Sequence, residues 1–267
     1  MTSLTAGVPG RRHKLIRYLR LATGIVAFFL LAEFITRLEI VPPIYLPRAS
    51  IVVERMVGLL FNPTFLGQVG WTVYAWAIGL LLASFVGIGL GVLIGSSDLA
   101  QRMSSAIIEF MRPIPSVAII PLGMILWGQG LAMKVILVTY ATLWPILYNT
   151  IYGVHEVDPI ALQTARSFGL RPMAVMRRIT LPSAAPFIFT GIRVSASLGL
   201  IVVVGAELLA SADRGIGSFI LFASSSGGQM DTVLAAASVG GLLGLVINGI
   251  LNSLDHRLFS WRYLGAT

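Results

Sequence analysis

The chain has 267 residues, of which 56% are hydrophobic and only 11% are charged, and its mean hydropathy is +0.87. This composition lies far outside that of soluble proteins and predicts an all-α integral membrane protein. The net charge of +8 does not indicate a nucleic-acid-binding protein, because the charges lie in short segments between apolar spans, where they orient a chain in a membrane. The absence of cysteine excludes disulfides, thiol nucleophiles and thiolate metal sites.

The first apolar run follows a basic segment that holds five Lys and Arg residues. A cleaved signal peptide would look similar, but Glu33 and Arg37 end the run without a convincing small-residue cleavage site. We therefore predict a basic cytoplasmic segment at 1–20 and an uncleaved first span at about 21–35.

The second span, at about 71–95, is rich in glycine. Gly87, Gly91 and Gly95 recur every four residues and would line one helix face, which allows another helix to approach closely. The partner could be a helix of the same subunit or a helix across a dimer seam. Both alternatives fit the spacing.

The third span, at about 104–127, contains three prolines and two ionisable residues. Proline removes backbone donors and bends a helix, so the freed carbonyl groups need partners in a packed bundle or a wet pathway. Glu109 and Arg112 are three residues apart and could pair with each other, or they could line a pathway. Both interpretations stay open from the sequence.

Three further spans are predicted, at about 135–152, 186–210 and 233–251, and an interfacial tail at 253–267 follows them. The fifth span holds Arg193 and Glu207, which lie some four turns apart and cannot pair on one straight helix. Each of these residues therefore needs a partner elsewhere.

A polar segment at 154–182 interrupts the apolar spans and predicts two short helices. Asp158 and Pro159 favour a helix start, and Gly169 favours the left-handed end of that helix. The apolar residues of this first helix are three residues apart, which predicts a shared face; they are Leu162, Ala165 and Phe168. The second helix is predicted to open at Pro172 and to close at Leu181-Pro182.

The spacing within this segment resembles the EAA loop of permease subunits from ATP-binding-cassette (ABC) importers. The consensus is Glu-Ala-Ala, three residues, Gly, nine residues, Ile, one residue, Leu-Pro, and it is met at Ala165, Gly169, Ile179 and Leu181-Pro182. Gln163 and Thr164 replace the Glu and the first Ala of the consensus. The stretch EFMRPIPSVAIIPL in the third span is also similar to the corresponding helix of the nitrate, taurine and alkanesulfonate branch.

This resemblance implies the type I ABC importer fold, with six transmembrane helices and a cytoplasmic two-helix coupling loop. It implies a permease that works with a second copy of itself, two cytoplasmic ABC ATPase subunits and an extracytoplasmic solute-binding protein. The substrate would be a small anion of the taurine, aliphatic sulfonate or nitrate type. The residues expected to couple to the ATPase are Gln163, Thr164, Ala165, Arg166, Ser167, Phe168, Gly169, Arg171, Ile179, Leu181 and Pro182. The candidates for the translocation pathway are Glu109, Arg112, Arg193 and Glu207.

The chain lacks the motifs of an enzyme. Its two lysines, Lys14 and Lys134, do not lie in a P-loop, so ATP and Mg²⁺ would be bound by the partner ATPase, and no cofactor is expected in this chain. The three histidines show no metal-ligand spacing. The alternative function is a stand-alone channel or an ion-coupled carrier that uses the four intramembrane charges.

The distribution of basic residues predicts the orientation. Six spans place both termini, the loop at 96–103 and the segment at 154–182 on one side, which carries 12 Lys and Arg residues against 5 on the other side. The positive-inside rule therefore places both termini in the cytoplasm, and the resemblance implies that the membrane is the inner membrane of a bacterial cell.

Overall fold

The computed structural model describes residues 11–38, 40–210, 212–227 and 229–260, without the side chains of 11–19, 21, 22 and 25. This part of the chain is helical and contains no β-strand. The helices are α1 (Arg11–Arg37), α2 (Ala49–Leu60), α3 (Pro63–Gly95), α4 (Asp98–Met111), α5 (Ser116–Trp127), α6 (Leu131–His155), α7 (Pro159–Ser167), α8 (Pro172–Leu209), α9 (Ile216–Ser225) and α10 (Met230–Leu258).

Four of the described helices are long and apolar enough to cross a membrane: α3, α6, α8 and α10. The pair α4 and α5 makes a fifth candidate span, bent by 76°. The predicted first span lies within α1, part of whose side chains are outside the described set, and the predicted segment at 1–20 and tail at 253–267 also reach beyond the described residues. The centre of the bundle is formed by α3, α6 and α8, which share the buried clusters around Val138, Ile146 and Val203.

The glycines of the second span pack against α6 of the same chain. A Cβ atom added at Gly91 would lie 2.5 Å from the Cβ of Thr150, and one added at Gly87 would lie 3.0 Å from Ile146. Gly95 meets Val154 in the same way. Of the two alternatives for this glycine face, packing within one subunit is therefore the one that the structure confirms.

Gly91→Ala is expected to destabilise the protein by about 1–3 kcal/mol, because the added methyl group would force α3 and α6 apart. The matched control is Gly89→Ala on the same helix, where an added Cβ meets nothing within 4 Å. The midpoint of thermal unfolding in detergent should fall for the first variant and stay level or rise for the second. Equal midpoints for the two variants would show that the helices can separate without cost.

The third span is broken rather than merely bent. The sequence predicts one span at about 104–127, but α4 ends at Met111 and α5 begins at Ser116. Pro115 has no N–H to donate to the Met111 carbonyl, so the hydrogen-bond ladder stops. The Tyr140 hydroxyl donates to the Met111 carbonyl oxygen over 3.3 Å. This carbonyl therefore has a hydrogen-bond partner on a neighbouring helix of the bundle.

The fifth span is longer than predicted, and the second helix of the polar segment belongs to it. The sequence predicts a unit that closes at Leu181-Pro182 and a span that starts near 186, whereas α8 runs from Pro172 to Leu209. A π-helical turn at Met176–Thr180 precedes Pro182. This turn lets the backbone pass a residue without an N–H, since the Leu181 N–H donates to the Met176 carbonyl. One continuous helix therefore joins the polar segment to the far end of the bundle.

Candidate coupling loop and translocation pathway

Helix α7 begins as the sequence predicts. The Asp158 side chain accepts a hydrogen bond from the Ile160 N–H over 2.8 Å, and Pro159 occupies the first helical position. These two residues satisfy or remove donors that a helix start leaves free. They fix where α7 leaves the end of α6.

Gly169 ends α7 in the left-handed conformation, with φ of +72°. The Leu170 N–H donates to the Ala165 carbonyl over 3.1 Å, and the Gly169 N–H donates to the Arg166 carbonyl over 2.9 Å. This bond pair is the Schellman arrangement, for which glycine carries no side-chain penalty. The turn after α7 is therefore closed by its own backbone and sets the angle between α7 and α8.

The predicted apolar face of α7 is only partly correct. Ala165 is buried, at 3% exposure, and Leu162 is half-buried, but Phe168 is 82% exposed. Phe168 is the C-cap of α7, and its N–H still donates to the Thr164 carbonyl over 3.0 Å, so it keeps the helical register and is exposed because none of the described residues covers that end of the helix face.

Three large apolar side chains of this segment are exposed. Ile160 is 70% exposed, Phe168 82% and Met173 69%, in a polar segment that carries four arginines. We call these three residues the docking patch. Exposed apolar groups with a polar rim mark an interaction site in a region outside the spans.

Most of the predicted coupling residues are accessible. Exposed residues are Gln163, Thr164, Arg166, Ser167, Phe168, Gly169, Arg171 and Pro182, whereas Ile179 and Leu181 are half-buried and Ala165 is buried. A cavity of about 700 Å³ lies behind them, between α7, the start of α8 and the ends of α3 and α6. Part of the segment at 154–182 is therefore separated from the ends of α3 and α6 by this cavity and is not tightly packed against them.

Arg112 lies at the break between α4 and α5, beside the middle of α6. Its guanidinium stands over the ring of Tyr148, 5.0 Å from the centroid. Both side chains border a groove of about 490 Å³ that also reaches α8. No ion pair joins Glu109 to Arg112 among the described residues, and Glu109 is exposed, so of the two interpretations left open by the sequence the pairing is not the one observed.

Arg193 and Glu207 have separate partners, as their spacing requires. Arg193 donates to the Asn252 side chain over 3.1 Å and lies 3.6 Å from the Asp255 carboxylate, so it joins α8 to α10. The structure places neither Arg193 nor Glu207 among the residues that line the groove at Arg112. Their role in a pathway remains a prediction.

Glu207 belongs to a buried polar cluster at the end of the bundle opposite α7. It forms an ion pair with Lys134 at 3.2 Å, and the two side chains are 0% and 2% exposed. The Thr72 hydroxyl and the Gly217 N–H donate to the same carboxylate over 2.9 and 3.1 Å. Lys134 also donates to the Arg214 carbonyl over 2.7 Å. We call this set the Glu207 cluster, and it fastens α3, α6, α8 and the start of α9 together.

Lys134 was not expected to be buried. The sequence places it in a turn before the fourth span, yet a carboxylate within an apolar span needs a cation. Lys134 begins α6 at the same end of the bundle where α8 finishes, so the alternation of spans could have identified it as the partner of Glu207. Within the described residues, no group of three or more His, Asp or Glu side chains could hold a metal ion.

Comparison with known proteins agrees with this arrangement. Residues 79–260 match the family described as binding-protein-dependent transport system inner membrane component. A taurine transport system permease protein of Escherichia coli is 30% identical over 259 residues, which cover 94% of this chain and 92% of the relative. A nitrate import permease protein of Leptolyngbya laminosa is 29% identical over 78% of this chain and 77% of its own length.

The fold is also found in solved structures. A chain of the MetNI methionine ABC transporter in an inward-facing conformation superimposes with a TM-score of 0.61 at 19% identity, covering 77% of this chain and 98% of that chain. This likeness confirms the predicted all-helical type I importer fold. The chain belongs to the family of binding-protein-dependent transport system inner membrane components, the permease subunits of ABC importers.

Proposed function

We propose that this permease imports a small anion of the taurine, aliphatic sulfonate or nitrate type, and that α7 with the turn at Gly169 is its docking point for a separate ATPase. The anion is supported by the taurine and nitrate permeases that the chain resembles along most of its length. The docking point is supported by the docking patch. Energy comes from ATP bound with Mg²⁺ on the partner subunit.

The single observation that carries the docking proposal is the exposure of Phe168 at 82% next to a backbone turn with fixed geometry. Exposing a large aromatic side chain to water is unfavourable, and covering it with a partner protein removes that apolar surface from water. The four arginines of the segment would face acidic or polar groups at the rim of the partner's groove.

Movement of the docking point reaches the membrane through α8. This helix runs without interruption from Pro172 to Leu209, and at its far end it holds the Glu207 cluster. A displacement of the turn would therefore move one helix of 38 residues, rather than a loop joined to a separate span. The permease would alternate between inward and outward access as a homodimer, with two ATPase subunits on the cytoplasmic side and a solute-binding protein outside.

The test is copurification of the tagged permease with its ATPase from mild detergent, together with an ATP hydrolysis assay. Gly169→Ala is expected to reduce both, because a left-handed alanine costs roughly 1–2 kcal/mol and shifts the angle between α7 and α8. Gly227→Ala is the matched control, since Gly227 also has positive φ, +84°, with open space around it, but lies in the turn between α9 and α10.

Two results would contradict the docking proposal. One is normal copurification and hydrolysis in Gly169→Ala, and the other is an equal loss in both variants, which would indicate backbone strain without any role for the turn. A lone chain that conducts or exchanges ions in liposomes, with no ATPase attached, would favour the channel or carrier alternative.

A further inference from the structure

The groove at Arg112 lies at the middle depth of the bundle. On one side it is bordered by the break at residues 112–116, and on the other by positions 140–149 of α6 and 194–198 of α8. These positions are near the centres of two helices that are long enough to span the membrane. The groove is therefore remote from both ends of the bundle.

Irregular backbone at this depth cannot face lipid. Hydrocarbon offers no hydrogen-bond partner, so non-helical segments within a membrane are found only where protein covers them or where they line a water-filled cavity. Pro113 and Pro115 are exposed in the single chain, and Arg112 is exposed beside them. This side of the subunit must therefore face a wet cavity or a second protein surface.

The groove contains a guanidinium held by a cation–π contact. The Arg112 guanidinium carbon lies over the Tyr148 ring, 5.0 Å from its centroid, and among the described residues no ion pair engages its N–H edges. Such an edge matches an oxyanion in a bidentate manner. Among the described residues that line the groove, Arg112 is charged and none is acidic.

A second polar side chain borders the same groove. Trp144 borders it, and the Trp144 Nε1 is buried with no hydrogen-bond partner among the described residues. A buried N–H without an acceptor is costly and is usually paired in a native structure. Tyr140, Trp144 and Tyr148 are spaced four residues apart on α6, so the Trp144 indole and the Tyr148 ring share one helix face.

We propose that this groove is a substrate subsite for a small organic oxyanion, a sulfonate or carboxylate with a short carbon chain. Arg112 binds the anionic head, and the Trp144 ring, Val194, Leu198 and the prolines of the break contact the carbon chain. The volume of about 490 Å³ lies in the range of small-molecule pockets and leaves room that a bare inorganic anion would not fill. The assignment rests on the proposed import of an anion and deepens it to a binding site.

The test uses the complete transporter, purified in detergent, and follows its thermal midpoint against the concentration of ethanesulfonate. Ethanesulfonamide, which has the same shape without the charge, is the control ligand, and nitrate is the inorganic comparison. The variants are Arg112→Gln, Arg112→Lys, Trp144→Phe and, as the matched control, Arg102→Gln. Arg102 is an exposed arginine of α4, the helix that ends just before Arg112, and it does not border the groove.

We expect ethanesulfonate to stabilise the wild type and Arg102→Gln but not Arg112→Gln, with at least about a tenfold weaker apparent affinity in that variant. Arg112→Lys should recover part of the affinity, because it keeps the charge but loses the bidentate edge. Trp144→Phe removes a buried N–H and keeps an aromatic ring, so it should weaken binding less than Arg112→Gln and leave copurification with the ATPase unchanged. Nitrate should act more weakly than ethanesulfonate.

Four outcomes would overturn the proposal. Ethanesulfonate could fail to stabilise the wild type, could stabilise Arg112→Gln equally, or could act no better than ethanesulfonamide; the fourth is loss of the second copy from Arg112→Gln, which would make Arg112 an assembly contact. A nitrate effect as large as that of ethanesulfonate would contradict the assignment of an organic ligand. ATP-driven uptake of radiolabelled taurine into proteoliposomes separates the two proposals. Binding without uptake in the wild type contradicts the proposed import, whereas uptake that Arg112→Gln leaves intact contradicts the subsite.

Discussion

Lys134→Met is expected to lower the free energy of unfolding by about 3–5 kcal/mol, because it leaves the Glu207 carboxylate buried without its cation. Glu207 has no exposed surface, and the Thr72 hydroxyl and the Gly217 N–H are aimed at the charged form of its side chain. Thermal or denaturant unfolding of the purified protein in detergent measures the effect. The loss should be accompanied by loosening of α9, whose first turn is held by the same carboxylate.

A second substitution separates lost charge from lost packing. Lys134→Met combined with Glu207→Gln removes both charges and keeps a side chain that accepts from Gly217, so most of the stability should return. Arg55→Met is the matched control, since Arg55 pairs with Asp231 at 2.8 Å but is 62% exposed, and its loss should cost about 0–1 kcal/mol. If Lys134→Met and Arg55→Met unfold alike, burial does not strengthen the pair.

Phe168→Ala is expected to weaken binding of the ATPase by about 2 kcal/mol or more, roughly thirtyfold in affinity. The side chain is 82% exposed at the end of α7 and contributes little to the fold of the permease itself. An aromatic residue that fills a partner's pocket is the usual centre of such an interface. The measurement is a titration of the detergent-purified permease with the ATPase subunit, alongside the unfolding midpoint of the permease alone.

Phe85→Ala is the matched control for this prediction. Phe85 is equally exposed, at 82%, but lies on the α3 span, away from the docking patch. The affinity should fall only for Phe168→Ala, while neither variant should change the unfolding midpoint by more than about 0.5 kcal/mol. An unchanged affinity for Phe168→Ala would move the docking point to the arginines of the segment.

Several features followed from local chemistry and were open to prediction. Asp158 with Pro159 could be identified as a helix start, and Gly169 as its left-handed end, because each depends on neighbours a few residues away. The glycine spacing in α3 predicted a close helix contact for the same reason, although it could not say which helix would make it. The resemblance to the permease family was visible in short spacings of the segment at 154–182 and in the third span, whereas the family match itself extends over residues 79–260.

Other features depend on several helices at once. Helix α8 continues through Pro182 because a π turn precedes that residue. A proline is compatible with such a turn but does not predict it, so the sequence predicted a stop where the helix continues. The exposure of Phe168 was missed because helical spacing gives the face of a side chain but not whether another helix covers that face. The position of Arg112 over Tyr148 joins two helices whose relative placement no local pattern contains.

The sequence by itself determined the class of the protein, the apolar character of its long helices and the chemistry of the turn at Gly169, since hydropathy, proline and glycine act over a few residues. It also required partners for Arg193 and Glu207, because an unpaired charge within a span is costly. Only the tertiary structure identifies these partners, because they are distant in sequence: Lys134 lies 73 residues from Glu207, and Asn252 lies 59 residues from Arg193. Such pairs form when packing of α3, α6, α8 and α10 brings distant segments together, and this packing depends on the whole apolar surface of the bundle rather than on any one motif.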